Sequence, residues 1–82
     1  MGTKRRHALD RLTELVPQVE LHLAKLRDQP DSQNASHWRA EVRGWLRRMA
    51  RELGKLGKRT QAEWDARISG WWADLEESDE PG

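Results

Sequence analysis

Histidines, arginines and tryptophans are the residues of this chain that could do chemistry or hold another molecule. His7, His22 and His37 read as standing apart, with no carboxylate completing a His/Asp/Glu cluster and no HExxH-type pair of ligands on one helix face. No metal or other cofactor is therefore expected. His22 lies beside an apolar stripe in Leu21-His22-Leu23, a setting that raises phosphotransfer from a helical bundle. The Lys-Gly context of such sites is missing, so a half-buried, hydrogen-bonded histidine is the expectation. Gly54 and Gly57 precede no Gly-Lys-Ser/Thr sequence and make no phosphate-cradling loop. The chain has no cysteine, which removes thiol nucleophiles, thiolate ligands and disulfides together. These absences predict a non-enzymatic protein with no small-molecule substrate.

The charges are more informative. Residues 37–59 carry eight Lys or Arg against two acids, and residues 60–82 carry seven acids against one Arg, so a net charge of +1 hides a dipolar chain. Arg39, Arg43, Arg47, Arg51 and Lys55 recur at steps of four and, with Arg48, form a slanting cationic ridge on a helix turning about 100° per residue. Trp38, Val42, Trp45, Leu46, Met49, Leu53 and Leu56 collect on the opposite arc. A ridge of this type neutralises phosphates or receives an acidic protein surface. The plainer alternative is the solvated outer face that any surface helix needs. Like charges at i+4 repel by about 0.2–0.5 kcal/mol per pair, and the acidic third segment is the natural source of counter-charge.

Trp occurs five times while Phe and Tyr are absent, so Trp38, Trp45, Trp64 and Trp71, all on apolar seams, are expected to fill the core. Trp72 lies one step off its seam, and Leu21 lies opposite the stripe of its own segment. Both are candidate apolar anchors for a partner or for a second copy of the chain.

Helices must position these residues. Leu9, Leu12, Val16, Val19, Leu23 and Leu26 follow one another at spacings of three and four, as do Trp38, Val42, Trp45, Met49 and Leu53, and then Trp64, Ile68, Trp71 and Leu75. Three amphipathic stripes predict an all-α, three-helix bundle forming a single domain over 1–82, with helices at about 4–28, 35–54 and 60–77 and a frayed acidic end at 78–82. Pro17 falls within the first seam and predicts a kink or break there, with the proline on the outer face. Asn34 and Ser36 both suit the start of the second helix, Thr60 with Glu63 fits a capping box, and Gly54 and Gly57 suit a left-handed helix end. No apolar run approaches the ~18 residues of a membrane span, and a soluble, cytoplasmic protein is expected.

Arg5-Arg6 leading into Leu9 and Leu12, Leu21-His22-Leu23-Ala24-Lys25, Gln29-Pro30, and above all Ser36-His37-Trp38-Arg39-Ala40-Glu41-Val42-Arg43 resemble the later part of the bacterial domain of unknown function 29 family. The resemblance spans about Arg5 to Arg67 and implies a trimmed member lacking the usual amino-terminal segment. It implies a small helical fold, and the family has no established biochemical activity to carry across, so the resemblance leaves the function open. Taken together, the sequence points to an interaction module that binds an acidic protein, or itself as a homodimer, through Arg39, Arg43, Arg47, Arg48, Arg51 and Lys55, with Trp72 and Leu21 as apolar anchors. The alternatives are nucleic-acid binding through the same ridge with Lys4-Arg5-Arg6, and a small phage-type inhibitor such as an anti-CRISPR.

Overall fold

The heptad spacing of the first segment places Leu12, Val19, Leu23 and Leu26 on one side of a helix, and all four are buried there. In the computed structural model, which describes residues 3–79, this helix is α1 (Thr3–Asp28); α2 (Ala35–Leu53) and α3 (Lys58–Asp79) follow. Their stripes converge as expected: Val42, Leu46 and Met49 from α2 and Ile68, Trp71 and Leu75 from α3 close over the α1 leucines. Leu56, buried in the turn between α2 and α3, caps one end of this core. Each fully buried leucine contributes about 1.5–3 kcal/mol by leaving water.

The tryptophans depart from expectation. Only Trp71 is buried, while Trp38, Trp45 and Trp64 are half-buried and pack against the core from its margins. Three leucine-lined helices leave an interior too narrow for four indoles, so the rings lie over the seams between helices. Cations cover some of them: Lys25 Nζ sits 5.6 Å from the Trp38 ring, and the Arg67 guanidinium lies 4.5 Å from Trp64 and 5.1 Å from Trp71.

α1 runs through Pro17 as one element, so the first helix is not broken. Pro17 is exposed and lines an open groove of about 330 Å³ between α1 and α3, together with Val16 and Trp64. The hydrogen bond that proline removes is thus lost where water can replace it.

Both connections differ from the sequence reading in detail. Asn34 is the residue before α2, but its side chain makes no capping bond; its N–H is held instead by Ser32 Oγ at 3.1 Å. α3 starts at Lys58, with the Gln61 N–H bonded to the Gly57 carbonyl at 2.8 Å, which puts Thr60 inside the helix and precludes the capping box. Among the described residues none has a positive φ, and Gly54 is right-handed at φ −61°. A Cβ at Gly57 would stand 3.4 Å from Nη2 of the flexible Arg5 side chain, an ordinary contact that places Arg5 beside this turn. Anchoring Leu56 in the core fixes this tight turn without a left-handed residue.

Gly44 and Gly70 lie within exposed helix, and a Cβ at either would meet nothing within 4 Å. Gly44→Ala and Gly70→Ala are each expected to stabilise the fold by about 0.5–1 kcal/mol, read as a higher urea midpoint with unchanged slope. A lower midpoint would show that these backbone positions are not ordinary helix.

Candidate partner-binding surface

The contacts of α2 define its sides. Toward α3, Arg39 Nη2 donates to the Ser78 carbonyl at 2.9 Å. This places a guanidinium on the unsatisfied carbonyl end of α3, where the helix dipole favours positive charge. Toward α1, the nearly buried Glu52 accepts hydrogen bonds from Arg11 Nη1 at 3.3 Å and from Lys55 Nζ at 3.1 Å. Arg39 therefore ties α2 to α3, and Lys55 is occupied by Glu52 three residues earlier, so the ridge expected from the sequence is shorter than its spacing suggested. Arg43 is half-buried, and Arg47, Arg48 and Arg51 are exposed. None of those last three forms an ion pair among the described residues. Arg48 and Arg51 also line, with Arg11, Glu14 and Glu52, an open cleft of about 400 Å³ between α1 and α2.

Among the described residues, no acid of α3 pairs with Arg47, Arg48 or Arg51. Glu63, Asp65, Asp74, Glu76 and Glu77 are exposed and make no ion pair among the described residues. Trp72 is half-buried against the core, and Leu21 is 55% exposed. They do not form one patch: Leu21 points away from the bundle on α1, while Trp72 lies off the α1-facing side of α3, which carries Trp64, Arg67, Gly70 and Asp74.

Glu52 went unnoticed in the sequence, although it falls between Met49 and Leu53 at the edge of the apolar arc. The Lys55 hydrogen bond, aided by the charges of Lys55 and Arg11, holds its carboxyl below the usual carboxylate range against the opposing effect of burial. A depressed folded-state value means that this contribution is complete above the unfolded-state value and is lost as pH falls through the folded one. Glu52→Gln should therefore flatten the acid side of the stability profile, below about pH 4.3, relative to wild type. Parallel urea midpoints for the two proteins through that range would contradict it.

His22 and His37 are closer than the sequence suggested. Both face Glu41: His22 Nε2 lies 3.4 Å from one carboxylate oxygen, and His37 Nε2 contacts the other from one helical turn away. His22 Nδ1 lies 3.0 Å from the Gln18 carbonyl, and its ring stands edge-on to Trp45 at 4.7 Å. The cluster ties α1 to α2. Among the described residues no group of three or more His, Asp or Glu is placed to hold a metal ion.

No family model, characterised protein or solved structure matches this chain. A functional reading therefore stands on the chain's own residues. Among those described, no helix is long and apolar enough to cross a membrane.

Proposed function

We propose that this protein is a non-enzymatic interaction module whose basic α2 surface receives an acidic segment of another protein. One observation carries the reading: Arg47, Arg48 and Arg51 are solvent-facing and have no ion pair among the described residues, while Arg39, Lys55 and Arg11 on the same bundle are engaged. Three neighbouring guanidiniums on a rigid helix form a preorganised carboxylate-binding surface.

A second reading, nucleic-acid binding, is favoured by the turn at Gly57. Arg5 reaches that turn, so exposed Lys4, Arg5 and Arg6 lie at the same end of the bundle as Lys55, Lys58 and Arg59. The two readings separate in a titration of the intact chain with polyglutamate, duplex DNA and single-stranded DNA, followed by tryptophan fluorescence and light scattering. Saturable binding of polyglutamate, weakening as salt shortens the Debye length from ~10 Å at 0.1 M to ~3 Å at 1 M, is the expected result. Binding of DNA with indifference to polyglutamate favours the second reading, and indifference to all three sinks both.

A further inference from the structure

The two charge blocks of the sequence fall at opposite ends of an elongated molecule. Arg5 beside Gly57 brings the start of α1 to the α2–α3 turn, and the Arg39–Ser78 contact brings the start of α2 to the end of α3. The helices therefore run up, down and up along a body whose longest dimension is 47 Å. The half nearest the α2–α3 turn, residues 3–16 and 43–68, holds twelve Lys or Arg against five acids. The other half, residues 17–42 and 69–79, holds three against eight. Among the described residues, Arg47 and Arg51 at one end and Glu76 and Glu77 at the other have no ion pair.

We infer that the acidic surface received by the α2 arginines is the opposite end of a second copy, the two chains lying side by side and antiparallel. This inference rests on the proposed binding of acidic protein by α2 and names its partner. A two-fold axis perpendicular to the long dimension sets each basic end against the other copy's acidic end, satisfying both poles with one closed, isologous contact. A side of 47 × 17 Å is sufficient for the ~800 Å² per partner of an ordinary specific interface. The α2–α3 side is the one used: Arg43 and Arg47 follow Arg39 down the edge of α2 nearest α3, and Asp65, Trp72 and Glu76 share one strip of α3 at about 100° per residue. Trp72 lies about one helical turn beyond the boundary between the two halves of α3, near enough to the symmetry axis for the two indoles to supply an apolar centre to an otherwise charged contact.

Sedimentation equilibrium of the full chain over a wide concentration range tests this, using Arg47→Glu as one variant and Glu76→Lys as the other. Wild type should pass from 9.6 kDa toward twice that mass as concentration rises, and high salt should reverse the change. Each variant alone should need at least tenfold more protein to pair. An equimolar mixture should pair as well as wild type or better, because in the mixed dimer both end-to-end contacts again join opposite charges. Circular dichroism confirms that both variants are folded. A wild type that stays at 9.6 kDa, a mixture that fails to recover, or a mass climbing past two chains would each overturn the closed dimer. A monomer that still takes up polyglutamate leaves the proposed function intact and removes only self-pairing; a monomer indifferent to polyglutamate removes both.

Discussion

Leu46→Ala is expected to cost about 3 kcal/mol, within the 2–5 kcal/mol range of buried leucine truncations, and so to lower the folding equilibrium constant more than a hundredfold. Leu46 is fully buried at the middle of α2, where side chains from all three helices meet. Truncation removes its transfer free energy and leaves a void that helices pinned at both ends by Arg39–Ser78 and Arg11–Glu52 cannot readily close. A chain of 82 residues has a total stability on the order of 4–12 kcal/mol, so the variant should be markedly less stable at room temperature. The control is Leu21→Ala, whose side chain is already in water and whose loss should change stability by less than ~0.5 kcal/mol. Urea denaturation of both variants reads the difference. Equal midpoints would mean that the α2 stripe does not face the common core.

The three stripes were legible because leucine and valine recur at helical spacing and carry little other meaning, so burial alone decides where they go. The tryptophans were less legible. Periodicity assigns a side to Trp38, Trp45 and Trp64 but not a depth, and depth depends on how much room three packed helices leave. The Thr60–Glu63 box failed for a related reason: a buried Leu56 set the turn, and a favourable local cap gave way to tertiary packing. Charge was the most misleading signal. Reading α2 as an isolated wheel gave a ridge of six cations, whereas α3 engages Arg39 through Ser78, and Glu52, which meets Arg11 of α1, also occupies Lys55. The same wheel could not show that an up-down-up path separates the charge blocks end from end. The His22–Glu41 contact depends equally on α1–α2 register, while the His37–Glu41 pair, one turn apart, was visible in the spacing.

The division of the ridge into engaged and exposed arginines makes two kinds of variant behave oppositely. Replacing Arg47, Arg48 and Arg51 together by Glu changes the net charge from +1 to about −5 and turns three attractions for an acidic partner into repulsions. With exposed pairs contributing about 0.3–0.7 kcal/mol each, and reversal roughly doubling the effect, affinity for polyglutamate should fall by about 20- to 1,000-fold. The salt dependence of the residual binding should vanish or change sign. Thermal stability should hardly move, because these side chains make no ion pair among the described residues and lowering cation density on α2 relieves i,i+4 repulsion. Arg39→Ala should do the reverse: it removes a charge-assisted hydrogen bond and a favourable dipole contact at the end of α3, costing about 1–3 kcal/mol, yet leaves polyglutamate affinity within a few-fold of wild type. If Arg39→Ala abolished polyglutamate binding at unchanged stability, recognition would centre on Arg39 itself and not on Arg47, Arg48 and Arg51. If the triple variant still bound polyglutamate as wild type does, the exposed row would be only a solvated face.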